Sequence, residues 1–240
     1  MSRRGAPLVA AAQAASRPGR LPLARRLVKA LLGPYMRLYH GLELRGAEHV
    51  PPRGPVLVVL NHASLLDVPA LMVLDPFPNT GTVVKASLFK VPLISWFLRQ
   101  WGAIPVERQG RDSTGVRNML ALLRRGGVLA VAAEGRRTRS GRLQQINPVL
   151  ARFAASAGVP ILPVGIGGSF RALPPGARFP RPRKIVVQVG RAFQLEPGTD
   201  AAAAAGRIRR EIAALLPSEM QPLEGEPQAP APSQERLVPP

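Results

Sequence analysis

Residues 56–67 read VLVVLNHASLLD, an unbroken apolar run that gives way to a short polar segment. Five consecutive valine and leucine side chains are typical of a strand that is buried on both faces, as in a parallel sheet. His62 and Asp67 follow this strand, and open sheets place their ligands beyond the carboxyl ends of their strands. The stretch therefore predicts an α/β fold together with a position for its functional site.

His62 and Asp67 are spaced so that their side chains meet only if the chain turns between them. On a regular helix, neighbouring side chains are three or four residues apart. Ser64 is a suitable N-cap for a helix that starts just after His62. A carboxylate beside an imidazole fixes its tautomer and stabilises the imidazolium, so the pair predicts a general base. The alternative is a histidine that bonds to backbone, with Asp67 merely early in the next helix.

The rest of the chain alternates strands and helices, which predicts one α/β domain with a mixed central sheet flanked by helices. Residues 21–216 are assigned to this domain. The Pro/Ala/Gly-rich segment 1–20 and the Pro/Glu-rich segment 217–240 are expected to be a disordered leader and tail. Strands are predicted at 43–45, 56–60, 82–85, 103–107, 128–133, 161–166 and 185–189, and helices at 23–39, 65–74, 92–101, 113–125, 148–157 and 201–216.

The predicted first helix is amphipathic and contains Pro34, which is expected to bend or divide it. Its leucines share one side and its basic residues lie on the others: Leu23, Leu27, Leu31 and Leu38 against Arg25, Arg26 and Lys29. Basic amphipathic helices of this kind often lie in a membrane interface. The alternative is a helix that packs on the domain and leaves a basic face in solvent.

The chain is strongly basic, with a net charge of +19 over 240 residues. This charge predicts an anionic partner: nucleic acid, a membrane surface or a phosphorylated substrate. Only 5% of the residues are aromatic and no nucleic-acid recognition motif is present, which disfavours nucleic acid. No apolar run approaches the roughly 18 residues that a transmembrane helix needs. A protein peripheral to the cytoplasmic face of the cell membrane, and not secreted, is expected.

Cysteine and histidine usage limits the chemistry further. The chain has no cysteine, which excludes disulfides, thiolate metal sites and a cysteine nucleophile. Only three histidines are present, which disfavours a zinc site, so neither a metal nor a cofactor is expected.

Charged residues also follow two other predicted strands. Arg108 leads into the basic, glycine-containing loop 108–111, which suits an anion unless the loop is an ordinary exposed turn. Glu134-Gly135-Arg136-Arg137 follows the apolar strand 128–133. The glycine permits close backbone approach, the arginines suit a phosphate, and Glu134 is placed to orient one of them. The alternative is a charged loop without function.

In this order and spacing, these segments resemble the blocks of the 1-acylglycerol-3-phosphate acyltransferase family over residues 39–193. Four segments carry the resemblance: Asn61-His62 through Asp67 on the Asn-His-x4-Asp block, 102–108 on the second, Glu134-Gly135-Arg136-Arg137 on the Glu-Gly-Thr-Arg block, and 159–164 on the fourth. Residues 85–92 also look familial. One block alone is weak evidence, whereas four in register form a specific match.

The resemblance implies acyl transfer from acyl-CoA or acyl-carrier protein to a lysophospholipid hydroxyl, most directly on 1-acylglycerol-3-phosphate to give phosphatidic acid. His62 would be the general base and Asp67 its orienting partner. Since cysteine and a G-x-S-x-G elbow are both absent, direct attack on the thioester is expected. The resemblance assigns the acceptor-head-group site to Arg108, Glu134, Gly135 and Arg137. Three further residues are expected to bind substrate: Lys85, Arg136 at a divergent position, and Asn61, which also supports the His62 loop.

Three departures from the family pattern fall in the acceptor region. Ala133 replaces the usual proline, Arg136 replaces threonine, and Asn147-Pro148-Val149 stands where Lys-Pro-Gly is usual. A different lysolipid acceptor is therefore an alternative within the same family. A non-catalytic protein that binds anionic lipid or nucleic acid is a further alternative, against which the intact His62/Asp67 pair argues.

Overall fold

A seven-stranded mixed sheet organises the part of the chain that the computed structural model describes, residues 23–75, 79–107 and 113–223. The strands are β1 Glu43–Arg45, β2 Val56–Leu60, β3 Thr80–Lys85, β4 Ala103–Val106, β5 Val128–Ala132, β6 Ile161–Gly167 and β7 Val186–Val189. The helices are α1 Leu23–His40, α2 Asp67–Leu74, α3 Pro92–Gln100, α4 Ser113–Arg124, α5 Pro148–Ala157, α6 Ser169–Ala172 and α7 Ala201–Ala213. The leader predicted at 1–20, residues 224–240 of the predicted tail and Arg108 lie outside the described residues.

The strand order is β1-β7-β6-β2-β5-β3-β4, which confirms the predicted mixed α/β sheet. β6, β2, β5, β3 and β4 run parallel, β7 is antiparallel to β6, and β1 is parallel to β7. β2 lies at the centre of the sheet and is buried throughout. This position explains its unbroken apolar sequence, since both of its faces are covered by helices.

The two faces of the sheet are covered by different helices. Leu57 and Val59 of β2 face one core, which α4, α5 and α7 complete. Val56, Val58 and Leu60 face a second core, which α1 and α2 complete. The carboxyl ends of the five parallel strands consequently meet at one edge of the sheet, and His62 and Glu134 each lie two residues beyond a neighbouring strand, β2 and β5.

α1 continues through Pro34, so this proline does not divide the helix. The prediction for the start of α2 is wrong. α2 begins at Asp67, not at residue 65, and its N-cap is Leu66, not Ser64. The reason is that Asp67 itself accepts hydrogen bonds from the backbone amides of Ala63 and Ser64, while Ser64 Oγ accepts only from the Leu66 amide.

The fold also extends beyond residue 216, where the predicted domain ends. Residues Ser218–Met220 form a 3₁₀ turn, and Met220 is buried in the α7-side core. The backbone amide of Leu143 donates to the carbonyl of Met220, which ties this segment to the loop after β5. Residues 217–223 are therefore part of the folded domain.

α1 packs on the sheet with Arg25 facing inward and its leucine side facing outward. The Arg25 side chain is buried at 2% exposure, donates to the carbonyls of Gln100 (2.8 Å) and Thr80 (3.1 Å), and lies over the Trp101 ring. Leu31, by contrast, is 76% exposed, and Leu23, Leu27 and Leu38 are exposed with it. The expected alternative of a solvated basic face is thus wrong for Arg25. Of the helices described, none is long and apolar enough to cross a membrane.

Candidate active site

The His62 and Asp67 side chains form a hydrogen-bonded pair beyond the carboxyl end of β2. Nδ1 of His62 lies 2.9 Å from Oδ2 of Asp67. The backbone amides of Ala63 and Ser64 donate to the same oxygen, each at 2.8 Å. Asp67 is 1% exposed and is the first residue of α2, where the helix dipole favours a negative charge. His62 therefore faces a carboxylate instead of a backbone carbonyl.

The pair leaves one imidazole nitrogen available for chemistry. A carboxylate can only accept a hydrogen bond, so Nδ1 of His62 carries the proton and Nε2 is the unprotonated, basic nitrogen. The His62 side chain is partly exposed, whereas Asp67 is enclosed. This arrangement suits a general base that takes a proton from a bound hydroxyl and shares the resulting charge with Asp67.

The backbone around His62 is fastened from both neighbouring strands. Asn61 accepts from the Ile166 amide (2.7 Å) and donates to the Ile166 carbonyl (3.1 Å), which joins the ends of β2 and β6. From the β5 side, the amide of Thr138 donates to the His62 carbonyl at 2.9 Å. Asn61 is 2% exposed, and both of these side-chain bonds go to the backbone of β6.

Glu134 is buried beside this loop, and neither of its carboxyl oxygens has a hydrogen-bond partner among the described residues. Burial raises the pKa of Glu134 to about 8, and the charge of Asp67 adds to the effect. The backbone amides of His62 and Gln144 and the charge of Arg136 act in the opposite direction, although neither amide reaches ordinary hydrogen-bond geometry. Among the described residues, Glu134 forms no hydrogen bond to an arginine, and thus does not orient Arg136 or Arg137 in this way.

The raised pKa of Glu134 should make stability fall as the pH rises. Below about pH 4.5 the carboxyl is protonated in both states; between there and about pH 8 the unfolded chain ionises while the folded one stays protonated. The free energy of unfolding should therefore fall by up to about 1.4 kcal/mol per pH unit in this window. Glu134→Gln should lack this contribution, which denaturant unfolding at several pH values would measure. Glu196→Gln changes an exposed carboxyl and should keep the wild-type dependence of the unfolding free energy on pH. The same pH dependence in the wild type and both variants would contradict a raised pKa for Glu134.

Gly135 and Asn147 fit together in a way that restricts both positions. Gly135 has a φ of 72°, and a Cβ there would lie 2.5 Å from Nδ2 of Asn147. Asn147 accepts from the Val149 amide and so caps α5, which starts with Pro148. The departure at Asn147-Pro148-Val149 is therefore a helix start that packs against the Gly135 turn.

The basic residues assigned to substrate binding lie around the same edge but make few contacts. Arg136 and Arg137 are exposed, and neither forms an ion pair with a described residue. Lys85 is exposed at the end of β3, which lies two strands from β2, about 10 Å away across the sheet. Within the described ranges, no group of three or more acidic or histidine side chains is placed to hold a metal ion.

Comparison with known proteins assigns this arrangement to a family. The model of the family described as acyltransferase matches residues 41–167, more than half of the chain. The chain belongs to the acyltransferase family. Curated relatives named 1-acyl-sn-glycerol-3-phosphate acyltransferase confirm the resemblance to that family.

A chloroplast 1-acyl-sn-glycerol-3-phosphate acyltransferase from Brassica napus is 27% identical over 58% of this chain and 41% of its own length. A lyso-ornithine lipid O-acyltransferase from Pseudomonas aeruginosa is 31% identical over 62% of this chain and 57% of its own. The crystal structure of a 1-acyl-sn-glycerophosphate acyltransferase from Thermotoga maritima is 22% identical, with a TM-score of 0.68 over 78% of this chain and 76% of that one, which shows a shared fold. The chain spans about two fifths to just over half the length of the first curated relatives that it matches.

Sequence reasoning missed three contacts that hold the site of this acyltransferase-family chain. The Thr138 amide donates to the His62 carbonyl, and the Ser64 hydroxyl donates to the Leu173 carbonyl. The Asn147 side chain caps the start of α5. Only Asn147 had a local signal, since an asparagine before a proline is a recognisable helix start. The other two are bonds between segments far apart in the sequence, for which a single sequence carries no pattern.

Proposed function

We propose that this acyltransferase-family member moves a fatty acyl group from a thioester to the hydroxyl of a lysophospholipid. The observation that carries the proposal is the 2.9 Å contact between His62 Nδ1 and Asp67 Oδ2 at the edge where the parallel strands end. The donor is acyl-CoA or acyl-carrier protein, and no cofactor takes part.

The reaction proceeds in two steps with His62 as the base. Nε2 of His62 removes the hydroxyl proton as the acceptor oxygen attacks the thioester carbonyl, and Asp67 stabilises the imidazolium that forms. The tetrahedral intermediate then collapses, the carbon–sulfur bond breaks, and the proton on Nε2 passes to the departing thiolate. The products are an ester and a free thiol, and His62 returns to its starting state.

The acceptor proposed is 1-acylglycerol-3-phosphate, which gives phosphatidic acid. The loop after β5 supports this choice because Arg136 and Arg137 are exposed cations close to the His62 loop, and guanidinium groups suit a phosphate. The charged Arg136 at a position that the family usually fills with threonine favours a second candidate, a different anionic lysolipid. The Pseudomonas aeruginosa relative, whose name specifies a lyso-ornithine lipid, makes this alternative concrete.

A peripheral position on an anionic membrane completes the proposal. The exposed leucines of α1 lie beside Arg26 and Arg37, also exposed, which is the composition of an interfacial helix. α3 adds a second apolar surface, since Leu93 and Trp96 are exposed as well. Both surfaces lie on the described chain where no other element covers them.

The decisive experiment offers the purified protein a panel of acceptors: 1-acylglycerol-3-phosphate, other lysophospholipids, lyso-ornithine lipid and glycerol 3-phosphate. Each is combined with acyl-CoA and with acyl-carrier protein, and products are identified by mass spectrometry. Phosphatidic acid as the main product supports the proposal, and a different acylated lysolipid selects the second candidate. A folded protein that acylates nothing in the panel would overturn it.

Arg137→Ala should weaken the use of a phosphate-bearing acceptor specifically. Loss of one charge-assisted contact should raise the acceptor KM about tenfold, while the donor KM stays within a factor of about two. Steady-state kinetics with both substrates varied would measure this. The matched control is Arg152→Ala, an exposed arginine on α5, which should leave both constants unchanged. An unchanged acceptor KM in Arg137→Ala would remove this residue from the head-group site.

A further inference from the structure

A basic cavity lies on the α7 side of the sheet and is lined by residues other than those of the His62 site. Its volume is about 470 Å³, and it opens between the end of β6, the start of β7 and the segment that follows α7. Four cationic side chains surround it: Arg45, Arg171, Arg183 and Lys184. Its floor is apolar and is formed by Val186, Leu215 and Pro217, among others.

Cations outnumber carboxylates in this cavity, which is called the β7 pocket below. Glu43 is shared by Arg45 (2.6 Å) and Lys184 (2.5 Å), and Arg171 pairs with Glu219 at 3.5 Å. The Arg183 guanidinium has no carboxylate within 4 Å among the residues that the structure describes. The surrounding cations lower the pKa of Glu43 to about 2. The pocket thus keeps an excess of about two positive charges for a ligand.

The position of the β7 pocket indicates a ligand in solution instead of a lipid headgroup. Val187 and Val189 of β7 face the core that α1 covers, so Val186 and Gln188, which line the pocket, face the opposite side of the sheet. The exposed leucines of α1 therefore lie on the other face. When α1 binds a membrane, the β7 pocket stays open to water on the opposite face of the sheet.

The pocket is close enough to the His62 site to serve the same reaction. β7 is two strands from β2 in the order β7-β6-β2, about 10 Å across the sheet. Gly167 of the pocket lies one residue after Ile166, which Asn61 binds. One ligand with a flexible arm can therefore occupy the pocket and present its far end at His62.

We propose that the β7 pocket binds the phosphate groups of a nucleotide-type acyl donor, acyl-CoA. This inference rests on the proposed function, since it names the donor for the His62 site. CoA carries a diphosphate and a ribose 3′-phosphate, which match the excess positive charge of the pocket better than does the single phosphodiester of the prosthetic group on an acyl-carrier protein. The apolar floor provides a surface for the nucleoside, and the pantetheine arm carries the thioester to His62.

The test is a calorimetric titration of the full chain with CoA and with dephospho-CoA, which lacks the 3′-phosphate. Arg183→Ala/Lys184→Ala should raise the CoA dissociation constant about tenfold or more, and dephospho-CoA should bind the wild type several-fold more weakly than CoA. Arg124→Ala/Arg125→Ala removes two exposed arginines from the end of α4 and should leave both values unchanged. Thermal unfolding checks that each variant is folded, and Arg171→Gln provides a second, milder change in the same pocket.

The outcomes separate this inference from the proposed function. His62→Ala should lose acyl transfer but bind CoA as the wild type does. If acyl transfer occurs while both pocket variants keep the wild-type CoA affinity and donor KM, the β7 pocket is not the donor site and the function stands. If CoA binds through the pocket but no acceptor is acylated, the site stands and the proposed function fails. A wild type that accepts acyl-carrier protein and does not bind CoA overturns the inference.

Discussion

His62→Ala should lower the rate of acyl transfer by about 10³-fold, the largest effect of any single substitution in this chain. General-base catalysis contributes typically 10²–10⁴-fold, and among the described histidines only His62 bonds to a buried carboxylate, whereas His40 and His49 lie against backbone carbonyls. The fold should survive, because Asp67 keeps its bonds from the amides of Ala63 and Ser64 when the imidazole is removed. Steady-state turnover with saturating donor and acceptor, together with circular dichroism of the variant, measures both points.

Two comparisons make this result interpretable. His49→Ala changes a histidine that bonds to the Val189 carbonyl near β7, and turnover should stay near the wild-type rate. Asp67→Asn should have an intermediate effect, since the imidazole remains but loses the charge that stabilises its protonated form. A His62→Ala protein that turns over at a rate similar to the wild type would remove the general base from the mechanism.

The second large effect is expected on membrane binding. Leu27→Glu/Leu31→Glu should weaken binding to anionic vesicles about 100-fold, because each leucine that no longer enters the interface removes roughly 1.5 kcal/mol. Both side chains are exposed, so stability in solution should change little. Sedimentation of the protein with vesicles of mixed neutral and anionic phospholipid, over a range of lipid concentrations, gives the affinity.

The matched control places the same two charges on exposed apolar residues elsewhere. Val149→Glu/Leu223→Glu should retain nearly the wild-type vesicle affinity, since neither residue belongs to α1. Turnover of a short-chain, water-soluble acceptor should be the same in the α1 variant and the wild type. Equal vesicle binding by the α1 variant and the wild type would show that another surface carries the membrane contact.

The central sheet was predictable because the composition of its strands reflects how they are buried. The apolar run of β2 has no polar position, which only a strand covered on both faces tolerates, and the prediction of seven strands in a mixed sheet is confirmed. The order of the strands in the sheet could not be predicted. β5 and β6 are both far from β2 in sequence yet both pair with it, and nothing local in any strand specifies its neighbour.

α1 shows where amphipathic pattern alone is insufficient. The periodicity correctly separates a leucine side from a basic side, but it does not state which side meets the domain. Arg25 is buried because the carbonyls of Gln100 and Thr80 and the ring of Trp101 compensate its lost hydration. Those partners are at least 55 residues away in the sequence, so the orientation follows only from the folded chain.

The candidate site was likewise predictable only in part. The His62/Asp67 contact was predictable from a spacing that requires a turn, and the two side chains do meet at 2.9 Å. The environment of Glu134 was not, because a charged residue between a strand and three arginines looks exposed. Glu134 and the preceding Ala133 lie in a turn that is still buried, and exposure begins only at Gly135.

The hydrogen bond from Thr138 to the His62 carbonyl limits how this protein can be re-engineered or can diverge. The segment that follows Glu134 cannot be exchanged independently of His62, because its Thr138 amide binds the backbone carbonyl of His62, the proposed base. A loop transplanted from another family member will change head-group preference and histidine position together unless it reproduces that amide. Exchange of this segment should therefore change the substrate range and the reaction rate together. A swap that preserves residues 138–141 should disturb the rate less than one that does not.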